Sequence, residues 1–499
     1  MLAEVARTTG PLSVENRLSR PDLFRQSAFL AGEWVDGPKD AAVAVTDPAT
    51  GATIGHVPGL GAPETERAIA AAAEAYGPWR RLLAKERAAI LRRWGDLMLA
   101  HKEDLAVLMT LEQGKPIDES RGEIDYAASF LEWFGEEAKR LYGDTIPSHL
   151  SGSRMSVTRE PVGVTAAITP WNFPSAMITR KAGAALAAGC PMIVRPASET
   201  PFSALALAVL AVEAGVPEGV FSVLTGPARA IAGTLTASPV VRKISFTGST
   251  EVGRILLAQS AETVKKVSME LGGHAPFLAF DDSDLEAAVA GAVAAKFATT
   301  GQDCLAVNRL YVQDGIHDAF VARFADAVAA LKVGPGLDPS VDQGPLMSES
   351  AVAKCEAHVA DALAKGAKAI VGGKRHELGG TFFQPTVLTA VTEDMAIANE
   401  ETFGPVAPIL RFTDEAEGIA RANDTVYGLA AYAYSRDVAR VLRVSEALEY
   451  GMVGINTPKF TGAPIPFGGV KQSGLGREGS RHGLDDYTEL KYVCIGGVN

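Results

Sequence analysis

From Pro161 onward the chain alternates short β-rich runs with Ala/Leu-rich stretches of helical length, and this rhythm leaves few folds open. Val162–Ile168, Met192–Arg195 and Val220–Leu224 read as strands, and Ala176–Ala188 and Ser203–Ala214 as the helices between them. A helix joining two strands carries the chain back to the starting end of the sheet, so the strands run parallel. The rhythm resumes after Glu270 with a strand Ala275–Phe280, a helix from about Leu285 to Thr299, a strand Arg309–Val312 and a helix near His317–Leu331. Two α/β units on parallel sheets are expected, which suits 499 residues, a length at which one core usually divides.

Ahead of these units the apolar spacing predicts amphipathic helices over Glu64–Tyr76, Glu86–Glu112 and Ser120–Leu141, the last two separated by Gly114, Lys115 and Pro116. Ser151–Arg159 and Asp485–Ile495 alternate as exposed strands do, with nothing nearby in sequence to pair with. Pairing with a partner subunit is one solution. The first twenty residues mix Arg7, Arg17 and Arg20 with Glu4 and Glu15, lack the apolar centre of a secretory signal, and read as a loose tail.

The excess of 59 acidic over 47 basic residues repels phosphate backbones and anionic lipid, so neither a nucleic-acid nor a membrane partner is expected. Apolar runs such as Ala182–Val194 fall short of the roughly 20 residues that span a bilayer. Four cysteines without metal-type spacing indicate reduced thiols in a cytoplasmic setting and no metal site.

One of these thiols, Cys304 in Gly301-Gln-Asp-Cys304, follows a predicted helix end, on irregular chain of the kind that carries reactive groups. A thiol suits hydride chemistry, because sulfur adds to an aldehyde to give a tetrahedral carbon that still holds the hydrogen to be transferred. The attacking species is the thiolate, so a base or a positive field must assist. Glu270, between a β-rich run and a Gly-Gly loop, is placed to act on the thiol or on a hydrolytic water. Pro170-Trp-Asn172-Phe-Pro174 closes a strand with two prolines fixing the turn and an amide able to donate to an oxyanion. Singly, these are a buried thiol, a strand-end glutamate and a turn; their joint occurrence in this order points to chemistry.

With Phe246-Thr-Gly-Ser249 and Glu401-Thr-Phe403-Gly-Pro added, the chain from about Phe24 to its C-terminus resembles the aldehyde dehydrogenase superfamily. The resemblance implies an α/β fold of two Rossmann-like parallel domains plus a small β oligomerisation arm. The cofactor-binding domain would comprise 21–144 and 161–269, the catalytic domain 270–478, the arm 145–160 and 479–499, and the tail 1–20. It implies Cys304 as nucleophile, Glu270 as general base, and Asn172 with the Cys304 backbone N–H as oxyanion hole. Glu478 matches a position implicated in proton relay, an exposed structural glutamate being the alternative.

Phe246 to Gly253 has glycines only at 248 and 253, so the Gly-x-Gly-x-x-Gly dinucleotide pattern is not met. It resembles instead the family's variant loop, where Gly248, Ser249 and a helix N-terminus meet a pyrophosphate. Trp171, Glu401 and Phe403 match positions beside the nicotinamide and its ribose. Arg195-Pro-Ala-Ser198 stands where the family commonly has Lys-Pro-x-Glu. A glutamate there repels a 2′-phosphate, whereas serine donates to it and Arg195 pairs with it, so NADP+ is expected to be accepted beside NAD+, the preference between them staying open.

More narrowly, Pro174–Lys181, Pro201–Leu207 and Phe467–Ser480 resemble the succinate-semialdehyde dehydrogenases. Arg180 matches one carboxylate-holding arginine of that subgroup, and Thr461 falls where it places a substrate-contacting serine. A second arginine, six residues before the cysteine, is Ala298 here, and a second cysteine two residues after it is Ala306, so a redox disulfide is not expected. Asp303 would raise the thiol pKa if both side chains faced one way. The expected activity is oxidation of succinate semialdehyde or a related semialdehyde. Another aliphatic or aromatic aldehyde, a CoA-acylating reaction and a non-catalytic relative stand as alternatives, and the resemblance implies a homodimer or homotetramer.

Overall fold

The computed structural model describes residues 13–498. Five parallel strands, in spatial order Lys266–Glu270, Val241–Thr247, Val164–Ile168, Met192–Arg195 and Phe221–Val223, form the centre of an eight-stranded sheet. Antiparallel Gly474–Leu475 closes one edge, and Ala28–Leu30 with Glu33–Val35 closes the other. Helices Ala62–Arg81 and Ala228–Ala237 pack on one face, and Ala84–Ala100, Ile117–Glu137, Ala176–Ala188 and Pro201–Ala214 on the other. Cover on both faces is why the inner strands read as nearly unbroken apolar runs.

Strand order reverses at Val164–Ile168: the chain first moves to Met192–Arg195 and Phe221–Val223, then returns to the opposite side as Val241–Thr247. At such a switch point the carboxyl ends of the strands diverge and leave a crevice. The turns at 169–172, 195–198 and 247–249 and the side chain of Glu270 all emerge at that end.

The second sheet has seven strands in the order Lys368–Val371, Thr386–Thr389, Val406–Phe412, Val307–Gln313, Ala275–Ala279, Ala430–Tyr434 and Met452–Ile455, parallel except for the first. Three expectations need correcting. The two strands read as orphans, observed at Ser153–Pro161 and Thr488–Gly496, pair antiparallel with one another over nine residues, joined by Asp144–Ile146. The helix expected over Glu86–Glu112 is two, Ala84–Ala100 and Lys102–Gln113, broken at His101. The tail expected over 1–20 is packed from Val14, with the Ser19 and Arg20 N–H groups donating to Asp104 at 2.9 Å each; residues 1–12 lie outside the described range. Among the described residues no helix is long and apolar enough to cross a membrane, and no group of three or more His, Cys, Asp or Glu is set to hold a metal.

Candidate active site

The helix Leu285–Phe297 ends in a turn it cannot continue through, because Thr299 (φ 51), Thr300 (φ 57) and Gly301 (φ 72) all lie in the left-handed region. For an L-residue with a branched side chain this costs about 1–2 kcal/mol per position. Neighbours hold it in place. The Thr299 N–H donates to both oxygens of Glu119 (3.0 and 2.9 Å), Thr300 Oγ1 donates to Gly344 O (3.2 Å), and the Gln302 amide oxygen accepts the Met347 N–H (2.8 Å). A side chain at 301 is excluded, since its Cβ would lie 2.4 Å from Gly404 O. The turn throws Asp303 and Cys304 out of the helix line into a cleft between the two large sheets.

That cleft holds a cavity of about 840 Å³, and Cys304, Glu270, Asn172, Arg180 and Thr461 all line it. Cys304 is partly exposed, whereas Cys190 and Cys355 are buried and Cys494 lies exposed on the three-stranded sheet. Asn172 donates from Nδ2 to Gln302 O (3.1 Å), which ties the proline-flanked turn to the cysteine loop and leaves its second N–H free. The Asn172 backbone is fixed from behind by Lys115, buried in the structure, whose Nζ donates to Asn172 O and pairs with Glu123, each at 2.6 Å. Glu123 in turn accepts the N–H groups of Ser175 and Ala176 (2.9 and 3.1 Å) at the head of the next helix.

Glu270 ends its strand with both carboxylate oxygens buried and without a hydrogen-bond partner. Burial, and after it the charge of Glu478, pushes its pKa well above the usual carboxylate range. Glu478 itself is not the exposed glutamate allowed for in the sequence. It is buried, paired with Arg180 Nε at 2.5 Å and with Lys181, and these two cations outweigh burial and hold it ionised. Arg180 keeps one nitrogen, Nη1, buried with no partner, while its guanidinium lies 4.1 Å from the Phe467 ring centre. Burial, followed by the charge of neighbouring Asp303, raises the Cys304 thiol well above its ordinary value.

Trp171, Gly248, Ser249, Glu401 and Phe403 line the same cavity. The Trp171 and Phe403 rings meet edge to face with centres 5.6 Å apart, and Glu401 accepts the Gly273 N–H at 3.0 Å, burial bringing its pKa up to about 7. Ser249 caps the helix Thr250–Ala261, its Oγ accepting the Val252 N–H at 3.3 Å, so a positive helix end opens beside the cavity. Arg195 and Ser198 lie outside this cavity, at the carboxyl end of Met192–Arg195. There Arg195 Nη2 donates to Ser198 Oγ (2.7 Å), and its Nε is buried without a partner, a donor left over for an anion. These groups suit a flat-ringed dinucleotide with a further phosphate.

Sequence reasoning missed Lys115, Glu119, Glu123 and Lys181. Lys115 stood only as part of a break between helices, and nothing in local spacing signals that it reaches Asn172, 57 positions away.

Comparison with known proteins agrees with this geometry. The model of the aldehyde dehydrogenase family matches residues 34–493. The chain is 61% identical over 482 residues to glutarate-semialdehyde dehydrogenase of Pseudomonas aeruginosa, covering 97% of this chain and 100% of the relative. It is 61% identical over 480 residues to succinate-semialdehyde dehydrogenase [NADP(+)] of Escherichia coli, covering 96% and 100%. A crystal structure of an E. coli NADP-dependent enzyme superposes with a TM-score of 0.95 at 60% identity, again over 96% and 100% of the two chains. With a cavity-lining cysteine, a strand-end glutamate and a turn amide gathered in one cleft between two largely parallel sheets, and with the family model matching residues 34–493, the chain belongs to the aldehyde dehydrogenase family.

Proposed function

We propose that this protein oxidises a semialdehyde to the carboxylic acid with NAD(P)+, through a covalent intermediate on Cys304. The observation that carries this reading is the opening of a partly exposed thiol, an unpartnered buried carboxylate and a free amide N–H onto one cavity that also holds an arginine nitrogen without a partner. As Cys304 Sγ adds to the aldehyde carbon, its proton passes to Glu270, and the oxyanion is met by Asn172 Nδ2 and the Cys304 N–H. The bound nicotinamide supplies the hydride acceptor for the tetrahedral carbon, which becomes a thioester. Glu270 then takes a proton from the water that adds to the thioester, and breaking the C–S bond releases the acid. Arg180 Nη1 and Thr461 are the groups we assign to the distal carboxylate of the substrate. Ser249 with the helix behind it, Gly248, Trp171, Glu401 and Phe403 would hold the dinucleotide, and Arg195 and Ser198 its 2′-phosphate.

The deciding experiment is a kcat/KM panel of four- and five-carbon ω-oxo acids against uncharged aldehydes of equal length. Semialdehydes are expected to lead; a neutral aldehyde in front would overturn the assignment of Arg180. Cofactor choice offers a second prediction. Ser198→Glu puts a carboxylate beside the proposed 2′-phosphate site, and NADP+ affinity, read by fluorescence titration, is expected to fall about 100-fold, roughly 3 kcal/mol of repulsion, with NAD+ little changed. Equal losses for both dinucleotides would place the 2′-phosphate elsewhere.

We further propose a homodimer or homotetramer. Thr488–Gly496 forms an edge of its sheet and exposes Leu490, Tyr492 and Ile495, an edge suited to covering by a second copy. Four free cysteines fit a cytoplasmic setting.

A further inference from the structure

We propose that Asn308 is a positioning residue for the hydride step: its amide joins the cysteine turn to the Glu401–Phe403 segment and so sets the spacing between the carbon held on Cys304 and the ring held beside Glu401. The inference rests on the oxidation proposed above. Hydride transfer needs its reacting atoms about 3–3.5 Å apart, yet the segments that hold them are distant in the chain, Asn308 and Thr402 standing 94 positions apart. Thioester hydrolysis needs only Cys304, the oxyanion donors, Glu270 and water. The two halves of the reaction therefore make different demands on this link.

The link is built where two strands have not yet met. Val307–Gln313 and Val406–Phe412 pair only from Leu310 and Ile409 onward, so the chain just before each strand has no ladder to hold it to the other. On its other side Val307–Gln313 bulges at Asn308: Ala275 stands opposite Val307 and Pro276 opposite Arg309, which leaves Asn308 without a counterpart. A bulge takes a side chain out of the regular alternation, a device common beside active sites. Here Asn308 Oδ1 accepts the Thr402 N–H at 3.1 Å, and its Nδ2 donates to Ala306 O at 2.9 Å. Asn308 and Thr402 are both buried, so water does not compete for the bond between them.

Each end of the link is stiff. The cysteine turn is closed by the Ala306 N–H, which donates to Asp303 O at 2.9 Å, and is tied to the next strand by Tyr432, whose hydroxyl donates to Leu305 O at 2.9 Å. At the other end Thr402 Oγ1 shares a hydrogen bond with Nδ1 of buried His358 at 3.1 Å, and Phe403 holds a left-handed backbone (φ 56) with its ring against Trp171. Glu401 has its own support in the Gly273 N–H. Among the described residues, Asn308 is the only one whose side chain hydrogen-bonds both the turn carrying the nucleophile and the segment carrying Glu401. The amide acts as a spacer of fixed length; without it each end keeps its own supports and the spacing between them relaxes.

The test compares two routes to the acyl group on Cys304 in the full-length protein. An aldehyde reaches it through hydride transfer; a nitrophenyl ester reaches it directly, as Sγ displaces nitrophenolate with no dinucleotide present. Asn308→Ser keeps a polar group in the buried site but is too short to reach Thr402. It is expected to slow the first-turnover hydride step at least about tenfold and to bring a primary isotope effect from the deuterated aldehyde into kcat. Ester hydrolysis, and dinucleotide affinity read by fluorescence titration, are expected to change less than about threefold. Asn308→Asp, which keeps an oxygen in place for the Thr402 N–H, is expected to recover most of the hydride rate. Should the serine variant fail to fold, Asn308→Gln, which moves the same amide outward by one methylene, carries the same comparison. Equal slowing of hydride transfer and ester hydrolysis, or hydride transfer at the unmodified rate, overturns the assignment. An unmodified enzyme that hydrolyses the ester yet reduces no nicotinamide with any aldehyde would instead sink the oxidation reading beneath it.

Discussion

Cys304→Ala is expected to lower aldehyde-dependent reduction of the nicotinamide by at least about 10⁴-fold while leaving dinucleotide affinity unchanged. No other thiol lines the cavity among the described residues, so nothing else can form the tetrahedral carbon from which hydride leaves. The side chain is partly exposed and packs at the margin of a small apolar cluster around Leu429, Met452 and Phe467, so its removal opens little space in a core. The pH response separates the proposal from simple loss of fit. Burial and then Asp303 raise the thiol well above its ordinary value, so the thiolate is scarce at neutrality and the first hydride step is expected to accelerate as pH rises. Asp303→Asn removes the like charge while keeping an oxygen to accept the Leu305 N–H, now at 3.0 Å, and is expected to shift that acceleration to lower pH. Turnover at the unmodified rate in Cys304→Ala would end the covalent mechanism.

The parallel strands were readable because double-sided burial leaves its mark locally, as near-continuous Val, Ile and Ala runs. Where polar residues interrupt such a run, as Lys243 and Ser245 do, the reason lies across the sheet in Ser268 and Glu478, and local pattern carries no trace of it. The mutual pairing of the two outer strands was missed for the same reason, since Arg159 and Asp485, 326 positions apart, meet only in the folded chain. Cys304, Glu270 and Asn172 were legible as motifs, and the structure brings them into one cavity. The groups that hold them, Lys115 behind Asn172 and Glu119 on the strained turn, were not, because a buried ion pair and a backbone-binding carboxylate look in sequence like surface charge.

Glu270→Gln tests whether that carboxylate serves the water step, the thiol step or both. Glutamine keeps the volume, and because neither oxygen of Glu270 has a protein partner, the substitution breaks no hydrogen bond and should leave the fold intact. Steady-state turnover is expected to fall about 10³-fold. Burial and Glu478 hold Glu270 well above the usual carboxylate range, and a base works only when deprotonated, so kcat of the unmodified enzyme should rise with pH through this titration and the glutamine variant should lose that limb. If Glu270 acts on water alone, the variant forms about one equivalent of reduced nicotinamide per site at near-normal rate and stalls with an acyl group on Cys304, visible as added mass. If it also takes the thiol proton, the burst itself is slow at neutrality and recovers at high pH, where solvent ionises the thiol, while hydrolysis stays slow. Multiple turnovers at an undiminished rate, with no acyl group retained, would remove Glu270 from the mechanism and leave its buried, unpartnered carboxylate without a chemical purpose.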